Sequence, residues 1–373
     1  MARLDRDSLQ DLSAGAVFLA TGGGGDPYVA QLIAEQALDQ FGPVELISAE
    51  TLADDAYVVA IGGVGAPTVS LELLPSINEA RQTLEAFEAH VGRKVDAIVS
   101  FEIGGGNSLI PIVAAAAAGL PVIDGDGMGR ALPEAQMMTY PITGVLPTPA
   151  VATDYKGGIT EFSTDDIMTF EKEIRHCAMV SGGMVTSAEH PMTGRQLKNS
   201  IIPGTVSFSI ELGKLLRQYR GNAHRIFDPL SKLFSQSIYG ELFHLYTGKV
   251  VDSSTKIIGG YDIGQATIES FGGAAEPLLI NIKNEYLVAT QGERVLATVP
   301  DLITIVDYET STPINAERLR FGQRVTVFGV GCPKFYRQAE ALAYVAPACF
   351  GFEHEYQPIE RLIMPGLQAY ASE

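Results

Sequence analysis

The chain contains no tryptophan and only three cysteines in 373 residues, Cys177, Cys332 and Cys349. Three thiols cannot all pair internally, and none stands in a Cys-x-x-Cys pair. This excludes a disulfide framework and a structural zinc knuckle, and it points to a reducing compartment. Positive charge is also scarce: 26 Lys and Arg face 44 Asp and Glu, a net charge of −18. The deficit is steepest in the first 150 residues, where 6 basic side chains face 19 acidic ones. Such a surface repels phosphate backbones and anionic headgroups, so a nucleic-acid face and a membrane face are both excluded. The longest apolar stretch, Leu109 to Val122, is broken by Pro111, Gly119 and Pro121 and is too short to cross a bilayer. The first residues carry no signal-peptide core, and the expected location is cytoplasmic.

What is present is a globular composition: 46% hydrophobic, 19% charged, and rich in glycine at 39 residues. At about 150 residues per domain the length suggests two domains. The first part alternates helical and strand patterns. A helix over Ser8–Ala20 ends at Gly22-Gly23-Gly24-Gly25, and Asp26-Pro27 caps and opens a second. Strand runs at Val44–Ile47, Tyr57–Ile61, Ala97–Phe101 and Pro121–Asp124 are interleaved with helical stretches at Glu79–His90 and Leu109–Ala118. The fold class expected is α/β: an N-terminal parallel or mixed sheet with helices on both faces over residues 1–168. Residues 169–373 read as a β-rich domain, sandwich or barrel-like, with helices at Val206–Tyr219 and Ala223–Phe234. Seven short strand runs between Leu242 and Val330 support that reading.

Four segments carry candidate chemistry. Gly23, Gly24, Gly25 and Asp26 precede a helix, where bare backbone amides and the helix N-terminus suit an anion or a polar carbonyl. This is neither a phosphate-binding Walker loop nor a dinucleotide fingerprint. Ser100 to Ser108 delivers Glu102 from a strand into a glycine turn with Gly105, Gly106 and Asn107, the usual crevice of an open sheet. There Glu102 is a candidate general base. Asp124-Gly-Asp126-Gly-Met128-Gly-Arg130 places two acids and an arginine in flexible backbone, suited to activating water or gripping a carboxylate. Glu189-His190 through Arg195 offers a proton shuttle or ligand and an anion clamp. Cys332 is a conceivable nucleophile without an identifiable base.

These segments, above all Gly119-Leu-Pro-Val-Ile-Asp-Gly-Asp-Gly-Met-Gly-Arg-Ala-Leu-Pro-Glu-Ala-Gln136, resemble the S-methyl thiohydantoin desulfurase family. Ala297–Ile303, Pro313–Val325 and Phe350-Gly-Phe fit as well, so the resemblance spans the chain. It implies hydrolytic loss of a thiol from an S-alkyl thiohydantoin, giving a hydantoin. On that reading Glu102, Asp124 and Asp126 are the catalytic candidates. The glycines, Asp26, Asn107, Arg130, His190 and Arg195 would bind a small cyclic substrate. No cofactor is called for with certainty; a divalent metal on Asp124, Asp126 and His190 stays open. An amide or lactam hydrolase and a non-catalytic ligand-binding subunit are the alternatives. A homo-oligomer is expected from size and composition.

Overall fold

The structure is a computed structural model that describes residues 2–66, 69, 76–222 and 225–364. Its first sheet comprises β1 (Ala2–Leu4), β2 (Val44–Ile47), β3 (Tyr57–Gly65), β4 (Ala97–Ser100), β5 (Val122–Asp126), β6 (Ala150–Thr153), β7 (Ile159–Phe162), β8 (Met184–Thr193) and β9 (Ile202–Pro203). The spatial order is β1-β2-β5-β4-β3-β8-β6-β7, with β9 added on β5. β2, β5, β4 and β3 run parallel, and the remaining pairings are antiparallel. The sheet is therefore mixed.

The helices are α1 (Arg6–Leu19), α2 (Pro27–Phe41), α3 (Ile77–Val91), α4 (Ile110–Ala118), α5 (Thr139–Ile142), α6 (Ile167–Val180), α7 (Gly194–Ser200), α8 (Thr205–Gln218), α9 (Phe227–Ser235), α10 (Ala339–Val345) and α11 (Ile359–Ile363). Their limits follow local chemistry. Asp5 and Ser8 form a reciprocal capping box on α1, and Asp26 accepts from the Tyr28 amide with Pro27 in the first turn of α2. The expected helix over Ala223–Phe234 begins only at Phe227; Ala223 and His224 lie outside the described residues.

The second sheet, β10 (Leu242–Ile258), β11 (Tyr261–Ser270), β12 (Leu278–Lys283), β13 (Glu285–Gln291), β14 (Arg294–Thr298), β15 (Leu302–Asp307) and β16 (Arg324–Val330), is wholly antiparallel in the order β14-β13-β12-β11-β10-β16-β15. β13 and β14, at one edge, also touch β15 at the other, so the sheet curls into a half-barrel. Of the two expected architectures the barrel-like one is realised.

The sheets do not divide at residue 168. β8 and β9 join the first sheet, and α8 packs on β5 and α1, so the chain as far as about residue 218 belongs with the first layer. The β8 segment carries Pro191 next to buried polar residues, and that composition conceals a central strand from a periodicity reading. The hydrophobic core likewise runs through both parts: Phe18 of α1 lies 5.4 Å from Phe234 and 6.3 Å from Phe328, ring centre to ring centre.

α1 and α8 cross with their backbones touching. A Cβ added at Gly213 would lie 1.8 Å from the Asp11 carbonyl oxygen, and Arg217 grips the Asp11 carboxylate with bonds of 2.8 and 2.9 Å. Gly213→Ala gains helix propensity but must separate the helices. Denaturant titration is expected to show a net loss of about 1–3 kcal/mol; unchanged stability would mean that the crossing is not backbone-limited.

Candidate active site

One cleft, of about 150 Å³, opens where the two sheets meet. Its walls come from the Gly22–Gly25 loop, the turn after β4, the segment 128–135, the ends of β3 and β8, and the turn between β12 and β13. The loop after α1 must bend sharply: Thr21, Gly22, Gly24 and Gly25 all have positive φ. Glycine is also required by proximity. A Cβ on Gly24 would lie 2.3 Å from the Gly104 carbonyl oxygen, and one on Gly23 would lie 2.0 Å from Glu285 Oε1. The Gly106 amide donates to the Gly25 carbonyl at 3.0 Å, while Asn315 Nδ2 and the Ala316 amide, from the second domain, donate to the carbonyls of Gly25 and Gly22 at 3.1 and 2.8 Å. This loop therefore ties together both halves of the cleft.

Glu102 lines the cleft and is 5% exposed. Its Oε1 accepts from Asn107 Nδ2 at 2.6 Å and its Oε2 from the Leu132 amide at 3.2 Å. Asn107 is itself held by β3, accepting from the Gly63 amide at 2.7 Å and donating to its carbonyl at 3.2 Å. Burial outweighs these two donors and pushes the Glu102 carboxyl up to about 8. Glu285, the first residue of β13, faces the same cleft with Oε2 unpartnered. Burial, and then the charge of Glu102, push its carboxyl well above the ordinary range, with Arg130 working the other way. Two such acids cannot both ionise cheaply.

A charged wall closes another side. Arg175 donates to Glu171 Oε1 at 2.9 Å and to the Pro133 carbonyl at 2.7 Å; Tyr261 OH also donates to Glu171 Oε1, and the Ala135 amide to its Oε2. Glu134 pairs with Lys283. Glu285, Glu171 and Arg175 escaped sequence reasoning because each comes from an element without a glycine-rich signature, whereas Glu189, singled out beside His190, does line the cleft. Only the glutamate opening β13 right after Asn284, which has positive φ, hints at a special position.

Of the residues singled out in the sequence, Glu102, Gly24, Gly25, Asp26, Gly106 and Asn107 line the cleft. Gly23 and Gly105 stand behind it as close-approach positions. Asp26 caps α2 and pairs with Arg318 at 2.6 Å. The others lie elsewhere, each for a definite reason. Asp124 accepts from the Ser207 amide in the first turn of α8. Asp126 is wholly buried and accepts four bonds: from the amides of Ile103, Met128 and Gly129 at 2.8, 3.0 and 2.7 Å, and from Thr205 Oγ1 at 2.8 Å. It is a knot between loops rather than a base.

Arg130, also wholly buried, spends four of its five N–H donors on Ala131 O, Pro300 O, Asp301 O and Thr21 Oγ1. It bridges the two domains and is not among the groups lining the cleft. Arg195 is exposed and pairs with Asp54. His190 is sealed against Tyr140 and Phe170. Asp124, Asp126 and His190 thus do not converge as a metal site, and no group of three or more His, Cys, Asp or Glu among the described residues is arranged to hold a metal ion. Burial, and then the charge of Asp301, push the Cys332 thiol up, away from a nucleophile's range, against the contact with Tyr356.

The structure is that of a two-domain α/β protein with a carboxyl-rich cleft between its sheets. Residues 7–164 match the family model described as S-Me-THD-like, N-terminal domain, and residues 164–359 match that described as S-Me-THD-like, C-terminal domain, so the chain belongs to the S-Me-THD-like family. A crystal structure of a protein from Chromobacterium violaceum is similar in fold, with a TM-score of 0.80 and 22% identity over 96% of this chain and 100% of that one. No curated protein matches the chain. Among the described residues no helix is long and apolar enough to cross a membrane.

The buried acids make stability depend on pH. Burial raises Asp126 to about 6 and both Glu102 and Glu317 to about 8, so the folded protein holds protons that the unfolded chain has released. Their contribution is complete below about pH 4, where both states are protonated, and is lost as pH rises toward 8. Thermal unfolding is expected at lower Tm at pH 8 than at pH 5, a dependence that Glu102→Gln flattens. Asp126→Asn places an amide N–H against donors and is expected to cost about 2 kcal/mol or more in denaturant titration.

Proposed function

We propose that this protein is a hydrolase of small cyclic ureides that removes the thiol from an S-alkyl thiohydantoin and leaves the hydantoin. The observation that carries the reading is the pair of buried acids, Glu102 and Glu285, facing one cleft into which glycine backbone also opens. The S-Me-THD-like family description supports the substrate class. Gly24, Gly25, Gly63, Gly65 and Gly106 have no side chains to hold a flat ring away from the backbone.

With both carboxyls raised, Glu102 to about 8, these two groups face the cleft at neutral pH as carboxylic acids rather than carboxylates. An acid suits a ring whose C=N carbon bears the S-alkyl group, because protonating that nitrogen makes the carbon between the two nitrogens electrophilic. Glu102 gives its proton to the ring nitrogen, and the carboxylate so formed takes a proton from water as the C–O bond forms. The tetrahedral adduct then loses its C–S bond. Glu285 protonates the departing sulfur and regains a proton from the new hydroxyl as the carbonyl forms. Both acids end as they began; water is consumed, and a thiol and a hydantoin are released. Asn107 Nδ2 on Glu102 Oε1 fixes the orientation of the first acid throughout.

Incubation with an S-methyl thiohydantoin, following methanethiol by headspace gas chromatography, tests the reaction. Glu102→Gln is expected to lower kcat/KM at least about a hundredfold. In the parent protein kcat/KM holds up to about pH 8 and falls above it, as the Glu102 proton is lost. A rate that rises through pH 8 would assign Glu102 the role of base instead. A ring-opened carbamoyl acid in place of the thiol would identify an amide hydrolase.

A further inference from the structure

β8 pairs with β3 through an irregularity: the register shifts between Val58 and Ala60, opposite the stretch from Met192 to Glu189, and His190 there has a φ of +51°. A bulge of this kind re-aims neighbouring side chains. Here it turns Glu189 into the cleft and His190 away from it, into a cage where the Tyr140 and Phe170 ring centres lie 6.0 and 6.2 Å from the imidazole. Glu189 is 1% exposed and His190 0%. Glu189 Oε2 accepts from Ser187 Oγ at 2.7 Å, and Glu189 Oε1 lies 3.3 Å from His190 Nδ1, near enough for an ion pair but without hydrogen-bond alignment. Neither imidazole nitrogen has an aligned partner.

That arrangement is costly. A left-handed backbone at a bulky residue and two unpaired buried nitrogens both work against stability. A phenylalanine would fill the same aromatic cage without the unpaired nitrogens. The cost is intelligible if the ring serves the carboxylate beside it. Of the two Glu189 oxygens only Oε2 has an aligned donor, Ser187 Oγ; Oε1 has the imidazole beside it without a hydrogen bond, which leaves it lone pairs for a ligand in the cleft. Of the other acids in the cleft, Glu171 is taken up by Arg175, Tyr261 and the Ala135 amide and Glu134 by Lys283, while Glu102 and Glu285, as neutral acids, offer protons, so Glu189 is the acid there best placed to accept a ligand N–H.

We propose that Glu189 is the acceptor for a ring N–H of the bound ureide, and that His190 is a positioning residue that holds Glu189 in place for it. The inference deepens the ureide reading and rests on it. It makes the cleft selective for rings that keep a free N–H over the same rings alkylated on nitrogen.

The probes are hydantoin and 1,3-dimethylhydantoin, titrated calorimetrically into the wild-type protein, Glu189→Leu, Glu189→Gln and His190→Phe. Methanethiol release from an S-methyl thiohydantoin is measured on the same preparations. The wild type is expected to bind hydantoin at least about tenfold more tightly than the dimethyl ring. Glu189→Leu loses the preference, Glu189→Gln keeps only part of it, and His190→Phe reduces it at least about threefold while its Tm does not fall. A purely packing role for His190 would leave the preference unchanged in His190→Phe, and that result overturns the positioning role. Undiminished preference in both Glu189 variants would make it steric and overturn the acceptor role, as would failure of the wild type to bind hydantoin. Thiol release without the preference removes this inference and keeps the reaction. The preference without thiol release does the reverse.

Discussion

Everything in the cleft depends on backbone meeting backbone at two glycine turns. Gly24 and Gly25 press on Gly104 and Gly105 so closely that a Cβ at Gly24 or at Gly105 would fall 2.3 Å from the opposing carbonyl oxygen. Hydrogen bonds from the Gly106 and Asn107 amides to the Gly25 and Gly24 carbonyls hold the turns together. The second domain then seats on the outer side of the same loop through Tyr286, Asn315 and Ala316. This arrangement brings Glu102, carried by the first sheet, and Glu285, carried by the second, to one cavity. The glycines thus act less as ligand contacts than as the hinge pin of the assembly, and the absence of side chains there is what lets two domains share one site.

The segment from Asp124 to Arg130 performs the complementary task of fixing the floor. Tyr239 OH donates to the Gly129 carbonyl at 2.6 Å, and Tyr336 OH to the carbonyls of Gly127 and Met137 at 3.2 and 2.8 Å. Asp126 gathers three amides and a hydroxyl, and Arg130 reaches across to Pro300 and Asp301. Each polar group is satisfied within the protein, which is what burial demands of a purely structural network. Glu285 is instead buried with an oxygen left over, and Glu102 with fewer donors than its oxygens can accept. That difference in satisfaction, more than the residue type, separates the acids that hold the fold from those available to chemistry.

Much of this was legible in the sequence, within limits that have physical causes. The capped start of α2, the parallel β2–β5 core and the strand-to-turn delivery of Glu102 all follow from local signals, because each is decided by residues adjacent in the chain. The family resemblance rested on the 119–136 motif, whose acids and arginine are structural knots. A motif marks what the fold cannot change, and here that is as much architecture as chemistry. β10 is longer than a short strand run suggests because its outer half, Asp252 to Lys256, is polar; pairing with β11 and the glycine turn at 259–260 carries it on. Glu285 was invisible because its significance arises from a cavity assembled from distant segments.

Burial explains why the cleft contains neutral acids at all. An ionised carboxylate placed there without a cation would lose its hydration and gain too few donors to replace it. Arg130 is the buried cation whose charge acts on both acids, yet four of its donors are committed to carbonyls and a hydroxyl, so it moderates their charge without pairing with either. The cheapest state of the empty cleft is therefore one in which protons stay on Glu102 and Glu285. A ligand that accepts a proton from one of them, and in doing so becomes cationic, supplies the counter-charge that the protein withholds. On the proposed reaction the site is then stabilised most when the ring is protonated, which is the condition for stabilising a transition state more than the resting complex.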